Sequence, residues 1–283
     1  MNSLNQNSII VISWDGITKP LDHILFDVIP DFKIFIIDYS GINHEADLTT
    51  TKYDFYLSKK SECKGDLINN VYQYLHINQI TDYTYIGLLD DDLYISINDL
   101  NKLLFIASLE KLDVFQASLT HDSYYHHRQF IYNPGYLIQE TNWVEIMAPF
   151  YSQAVFNAAG PYLTKSISGT GTDAYLIPTI QQLIGKTRTA VIHGVSMKHC
   201  RPIRTGNRTF SNNKTCMQEI HEMQVFCKNL YRNALESKDF NNNFIKSVLN
   251  REFINGIPLK HKLARIIPMF KNIYKLLVDA SYR

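Results

Sequence analysis

The stretch that most limits how this chain can fold runs from Tyr83 to Ile97, YTYIGLLDDDLYISI. Tyrosine, isoleucine and leucine, broken mainly by Gly87, lead straight into Asp90, Asp91 and Asp92, and the chain then turns apolar again. Such a run reads as a strand buried on both faces and ending in an acidic tip. Side chains at i and i+2 of an extended backbone share a face, so Asp90 and Asp92 are expected to point at one position and Asp91 elsewhere. Two carboxylates about 4 Å apart repel by roughly 1 kcal/mol in water and by several times that when half-buried, so a positive group belongs between them. Oxygen ligands of this kind suit Mg²⁺, Mn²⁺ or Ca²⁺ better than zinc. The plainer alternative makes the triplet a solvated loop or a cap, with Asp92 or Asn98 capping a helix at Asp99 to Glu110. The buried strand before it favours the ligand reading, because open α/β sheets collect ligands at the carboxyl ends of their strands.

The chain before this strand supplies its neighbours. Residues 8–14 form an apolar strand that stops at Asp15-Gly16, and a helix is expected from Pro20 to about Pro30. Lys33 to Ile37 is a second strand with a polar tip at Asp38-Tyr39-Ser40-Gly41, Tyr53 to Leu57 a third, and Asp66 to His76 a helix. Strands alternating with helices in this way predict a mostly parallel α/β sheet of the Rossmann type. No GxGxxG follows the first strand, so a dinucleotide site of the usual kind is not supported.

Beyond the acidic tip the pattern changes. Asp113 to Leu119 reads as a strand, followed by a polar run from His121 to Arg128 that suits an acceptor-binding loop better than a zinc site. A hairpin is expected around Asn133-Pro134-Gly135, an apolar strand from Trp143 to Phe150, and a helix from Ser152 to Tyr162. Glu145 lies inside that apolar strand, where a lone carboxylate must be paired or functional. Trp143 is either an aromatic platform for a sugar or a core residue. A glycine-rich turn, SISGTGTDAYLIP, puts Asp173 at the start of the next helix, as its N-cap or at a pocket floor. Ala190 to His193 is a strand whose His193 reads as a core residue, and Met197 to Arg204 carries Lys198, His199, Arg201 and Arg204.

At 283 residues the chain can bury a large core, and a net charge of +1 without a basic block gives no case for nucleic acid. The four cysteines show no CxxC spacing, the first residues read as a strand and not a signal peptide, and no apolar stretch reaches membrane-spanning length. A cytoplasmic location is expected, with residues 1–209 as the catalytic domain (1–100 the donor half, 101–209 the acceptor half) and 210–283 as a helical extension. Pro258 to Arg283 mixes basic and apolar residues, which fits either an interfacial helix on the inner face of an anionic membrane or a helix packed on the domain.

With these pieces placed, the chain resembles a glycosyltransferase of the GT-A class. Over roughly residues 80–200 it is similar to a family of glycosyltransferase-like domains that pair a strand-terminal DxD with VExMAP, GxGxD and a later His. Here those read Asp90-Asp91-Asp92, Val144 to Pro149, Gly169 to Asp173, and His199. The resemblance implies a GT-A-like sheet with helices on both faces, a nucleotide-sugar donor, and a glycan or lipid-linked acceptor of surface polysaccharide biosynthesis. It implies that Asp90, Asp92 and His199 hold Mn²⁺ or Mg²⁺, the histidine tilting the choice to Mn²⁺. Donor binding would fall to Trp14, Asp15, Asp38, Lys64, Asp90, Asp91 and Arg201. Asp173 would take the acceptor proton, with Glu145 competing for that role. Two other functions remain open, a metal-dependent phosphohydrolase and a non-catalytic carbohydrate- or nucleotide-binding module.

Overall fold

The computed structural model describes residues 7–18, 21–48, 52–202 and 208–236. Its frame is a curled sheet in the order β2-β6-β10-β7-β9-β5-β1-β3-β4, with β8 paired to β10. In chain order the strands are β1 (Ile9–Trp14), β2 (Ile24–Leu25), β3 (Lys33–Asp38), β4 (Phe55–Ser58) and β5 (Tyr85–Leu89), then β6 (Leu93–Ser96), β7 (Val114–Leu119), β8 (Ile138–Glu140), β9 (Phe150–Ser152) and β10 (Thr189–His199). The helices are α1 (Lys64–Ile77), α2 (Ile97–Leu109), α3 (Gln153–Ala159), α4 (Ile177–Ile184) and α5 (Cys216–Glu236).

The two-residue period of the strands decides what each face buries. Ile10, Ile12 and Trp14 of β1 join Ile34 and Ile36 of β3 in one core, with Leu100, Leu103 and Leu104 of α2 packed on it. Ile9, Val11, Phe35 and Ile37 face the other way, under Leu67, Ile68 and Val71 of α1, Phe156 of α3, Ile180 of α4 and Met223 of α5. Helices therefore cover both faces, and the block β4-β3-β1-β5 is parallel throughout, as the α/β reading expects. The break comes at β9, which runs antiparallel to both β5 and β7.

Several local expectations are corrected. No helix occupies the described residues between Pro20 and Pro30: Leu21 adopts a positive φ, Ile24 and Leu25 pair with β6, and the Asp27 carboxylate accepts the Asn98 amide at the start of α2. That segment leaves Phe26, Val28 and Ile29 exposed, so it lacks the buried stripe a helix would need. The cap of α2 is Ser96, whose Oγ accepts the Asp99 amide at 2.9 Å, and neither Asp92 nor Asn98. The Asn133-Pro134-Gly135 turn joins no two strands of a hairpin; β8 pairs with β10 instead. Trp143 to Pro149 is not a strand either. It turns at Ile146-Met147, and only its carbonyls reach the sheet, Met147 O accepting from Asp90 N and Pro149 O from Leu88 N. Pro149 has no amide to offer a ladder, so regular pairing starts at Phe150. The expectations for the tail at 258–283 and for Arg204 fall outside the described residues.

Two details aim the strand ends. Gly87 in β5 sits against the Phe150 ring, where an added Cβ would lie 2.4 Å from the ring edge. Phe150 in turn stacks on Phe115 at 5.0 Å between ring centroids, so it has little room to yield. β10 pairs with β7, slips register between Ile192 and Ser196, and ends beside β6 with His199 opposite Leu93. That register sets His199 next to Asp92. Gly87→Ala is expected to destabilise the fold by about 1–3 kcal/mol through overpacking, read as a lower urea midpoint at unchanged slope. An unshifted midpoint would mean that the ring gives way.

Candidate active site

The acidic tip opens on a cleft of about 660 Å³ lined by all three aspartates, together with Lys64, Glu145, Asp173, His199 and Arg201. Residues separated by more than a hundred positions thus meet at the carboxyl end of β5. The strand itself stops at Leu89, and Asp91 and Asp92 lie in a turn closed by the Leu93 amide on Asp90 O. The alternation of an extended chain has ended there, and the expected pairing of Asp90 with Asp92 is not what the turn produces.

Each carboxylate finds its own partner. Lys64, at the first position of α1, donates from Nζ to Asp90 Oδ1 at 2.5 Å and to Leu88 O at 3.2 Å. Asp91 accepts the Tyr39 hydroxyl at 2.9 Å and a guanidinium nitrogen of Arg201. Arg201 also reaches Asp92 Oδ2 through Nε at 2.8 Å, and His199 Nε2 stands 3.3 Å from the same oxygen. Burial pushes the Asp90 carboxyl above its ordinary pKa despite the opposing Lys64 charge. For Asp92 burial acts in the same sense, but the His199 hydrogen bond and the charges of His199 and Arg201 outweigh it and hold the group below the usual range.

The donor set fits a divalent ion in part. Asp92 Oδ1 is buried and has no hydrogen-bond partner. His199 Nδ1 is 2.8 Å from Tyr124 O, the backbone contact that in metal sites fixes the ring, but Nε2 is taken by Asp92 Oδ2. Burial, which lowers the ring's pKa, is outweighed by the Asp92 and Tyr124 bonds, which raise it above its ordinary value, so His199 would have to give up a proton before it could ligate an ion. Among the described residues no three His, Cys, Asp or Glu side chains converge as a complete cage. Asp92 and a deprotonated His199 would supply at most part of a shell, which substrate phosphates and water would have to complete around Mg²⁺ or Mn²⁺. Asp90, expected as a third ligand, is turned toward Lys64.

A second pair of carboxylates lines the same cleft. The irregular segment before β9 carries Glu145 inward; it is only 7% exposed, its amide is fixed by Gln116 Oε1 at 2.6 Å, and its Oε2 has no partner. Asp173 stands in a single π-helical turn, Thr172–Leu176, after Gly171 in the left-handed conformation. Its Oδ1 accepts the Ala174 amide at 2.8 Å, so the N-cap reading is partly met by the residue's own turn. Burial, followed by the nearby Asp173 charge, raises Glu145 to about 8. Burial raises Asp173 to about 6, held back by the amides of Ala174 and Ile146. Near neutral pH the pair therefore divides into a protonated Glu145 and an ionised Asp173.

Three residues expected in donor binding do not line this cleft. Trp14 is buried with Nε1 on Thr18 O, and Asp15 accepts the amides of Ile17 and Thr18. Asp38 is fully buried; its carboxylate is taken up by Ser40, by His44 and by the Tyr56 hydroxyl. His193 is a core residue, as expected, its Nδ1 accepting the Asn133 amide and its Nε2 near Gln139. Trp143 is likewise core, edge-on to Phe130 and His127. Lys198 points away, to Asp122 at 2.7 Å. Conversely, Tyr39 and Cys63 line the cleft without having stood out in the sequence, and His126 and His127 bring the histidine-rich loop to its rim. Tyr39 follows the polar tip of β3, which was the only signal it offered.

No family model matches the chain, and no curated protein matches its sequence. Solved structures do match. S. aureus TarS superposes with a TM-score of 0.54 at 13% identity, over 90% of this chain and 46% of that one. S. aureus TarS 1-349 in complex with UDP-GlcNAc gives 0.52 at 13% identity over 90% and 77%, and its complex with UDP gives 0.51 at 12% over 90% and 76%. At such identity the likeness shows a shared α/β fold, and this chain spans about half the length of the longer TarS structure. Among the described residues no helix is long and apolar enough to cross a membrane.

The raised carboxyls have a stability consequence. Because the folded-state values of Asp173 and Glu145 lie above those of free carboxyls, folding is favoured while both are protonated. That contribution is complete below about pH 4 and is lost as pH rises through about 6 for Asp173 and about 8 for Glu145. The wild-type unfolding free energy should fall between about pH 4 and 8, at no more than about 1.4 kcal/mol per pH unit for each proton. Glu145→Gln should flatten the alkaline half of that curve, and parallel curves for the two proteins would contradict the buried neutral Glu145.

Proposed function

We propose that this protein is a metal-dependent glycosyltransferase that moves a sugar from a nucleoside-diphosphate donor to a hydroxyl of a glycan or lipid-linked acceptor in surface-polymer synthesis. One observation carries the reading: a single cleft is lined both by Asp92, His199 and the fixed cations Lys64 and Arg201 and by a buried Glu145–Asp173 pair that has no cationic partner among the described residues. A binding module would have use for the first end and none for the second. The fold shared with structures holding UDP-GlcNAc and UDP supports a UDP-linked donor, and the GT-A resemblance of the sequence agrees with it.

The chemistry follows from the two ends. Asp92 and His199 would hold Mn²⁺ or Mg²⁺, whose charge offsets the negative charge that develops on the departing diphosphate. Lys64 and Arg201 supply further fixed cations there, each already within reach of the cleft. Elsewhere in the same cleft the ionised Asp173 accepts the proton of the acceptor hydroxyl as its oxygen bonds to the anomeric carbon and the bond from that carbon to the phosphate oxygen breaks. Glu145, protonated beside it, keeps a second negative charge away from the base and from the departing diphosphate. A single direct displacement of this kind would invert the anomeric centre. His126 and His127 at the rim are placed to meet the acceptor. Asp15, Asp38 and Trp14 would contribute to donor binding only by shaping the loops that follow β1 and β3.

A thermal-shift screen of UDP-, GDP-, CMP- and dTDP-sugars with and without Mn²⁺ should single out UDP donors, stabilised further by the metal. With that donor, Asp92→Ala should abolish Mn²⁺-dependent turnover. Asp173→Asn should lose about 10²–10⁴-fold in turnover while donor affinity by calorimetry is kept. Full activity in a chelator would remove the metal from the mechanism, and unchanged turnover in the Asn variant, or a product of retained configuration by NMR, would remove Asp173 as the base.

A further inference from the structure

Helix α5 brings one buried charge to the underside of the cleft floor. Glu219 has no exposed surface. Its Oε2 accepts the Ser166 hydroxyl and the Ser168 amide, both at 2.9 Å, and the Ser168 hydroxyl as well. Its Oε1 accepts the Ile167 amide at 2.9 Å and the Asn212 side-chain amide at 2.7 Å. The partners named are neutral donors, and several such bonds converging on one carboxylate are among the stronger ties a loop can have. Burial acts to raise this carboxyl, and the Ser168 and Asn212 side chains with the Ile167 and Ser168 amides more than reverse that.

What Glu219 grips is the loop that leads to Asp173. Its opposite side presses on the start of α1: a Cβ at Gly65 would fall 2.1 Å from Ser166 O and 2.5 Å from Gly169 N, and the Asp66 amide donates to Ile167 O at 3.1 Å. Lys64, which holds Asp90, immediately precedes Gly65. After this clamp the chain passes through Gly169 and Gly171, both at positive φ. A Cβ on Gly171 would stand 3.2 Å from Met223 of α5, and Gly171 O accepts the amides of Tyr175 and Leu176 that close the turn carrying Asp173. Gln224 of α5 holds the Tyr175 hydroxyl at 2.5 Å. The loop is thus pinched between α1 and α5, and both ends of the cleft are referred to the same clamp.

We infer that Glu219 is a positioning residue, which fixes Ser166 to Gly171 against α1 and so sets where Asp173 stands relative to the Lys64–Asp90 end of the cleft, without touching substrate itself. The inference rests on the reading of Asp173 as the base. It makes α5 part of the catalytic unit, since the helix supplies the clamp from behind.

The test uses the full chain with Glu219→Gln, which keeps the shape but loses the charge and turns one acceptor into a donor. Expected are a folded protein, UDP affinity by calorimetry within twofold of wild type, a turnover reduced tenfold or more, and a shifted acid limb of the pH–rate profile. Hydrogen exchange should quicken at least tenfold at the amides of 167–168 and 173–176. Wild-type turnover, pH limb and exchange together would overturn the inference; should the Gln variant not fold, Glu219→Asp is judged by the same three readouts. Asp173→Asn separates the two layers. If that variant transfers sugar normally the base reading falls, and the exchange rates alone then decide whether Glu219 braces the loop.

Discussion

Three adjacent carboxylates at the buried end of a strand are the constraint to which the rest of the structure answers. Left alone they would repel by an amount that grows as water is removed, and the chain would fray at that point. Two cations from distant parts of the sequence prevent it. Lys64 arrives on the first turn of α1 and Arg201 on the residues just after β10, and between them they contact all three groups. Each is placed by backbone geometry, the first by the β4–α1–β5 crossover and the second by the register of β10 on β6. The sheet order can be understood as the means by which these charges are brought to one edge.

The second carboxylate pair shows what happens when no such cations come. Glu145 and Asp173 have backbone amides and a glutamine around them, and burial, joined at Glu145 by the Asp173 charge, favours their protonated forms. A pair with one proton between two groups is poorly stabilising and chemically useful, because one member stays basic near neutral pH. The two ends contrast: the fold pairs one acidic cluster with Lys64 and Arg201 and leaves the other without a counter-charge among the described residues, which favours chemistry there. Stability alone would favour an apolar replacement for Glu145, whose Oε2 has no partner.

How much of this could be seen beforehand depended on whether the signal was local. β1, β3 and β7 are continuous apolar runs with turn residues behind them, and periodicity found them to within a residue or two. The acidic tip and Glu145 stood out because a charge in an apolar context is conspicuous, Asp173 and His199 were singled out through the resemblance, and Arg201 by its neighbours; the structure brings all of them to one cleft. The failures were equally physical. In the stretch read as a helix, Ile24 is buried while Leu25, Phe26, Val28 and Ile29 are exposed, and from Trp143 to Pro149 an apolar composition conceals a turn at Ile146-Met147. Asp15 and Asp38 have the right positions at strand tips, but their carboxylates are consumed by nearby amides and hydroxyls that no pattern reveals. Glu219 was invisible, because an acid among EIHEMQ looks like any solvent-facing residue of an amphipathic helix until the loop it holds is known.

The irregular segment from Trp143 to Pro149 also explains why Glu145 and Asp173 come together. Had Trp143 to Phe150 continued as a regular strand, successive side chains would have alternated across the sheet and Glu145 would have been locked to one face of the core. By withholding an amide at Pro149 and turning at Ile146-Met147, the chain leaves the ladder and points its backbone into the cleft, so that the Ile146 amide is free to bind Asp173. Only two carbonyls, Met147 O and Pro149 O, keep the segment tied to β5. The same departure that defeats a periodicity argument therefore delivers a carboxyl and an amide to one point. Irregular backbone is costly in a core because its polar groups must find partners. Here the partners are the acidic strand end on one side and the side chains of Asp173 and Gln116 on the other, which binds the two ends of the cleft into one unit.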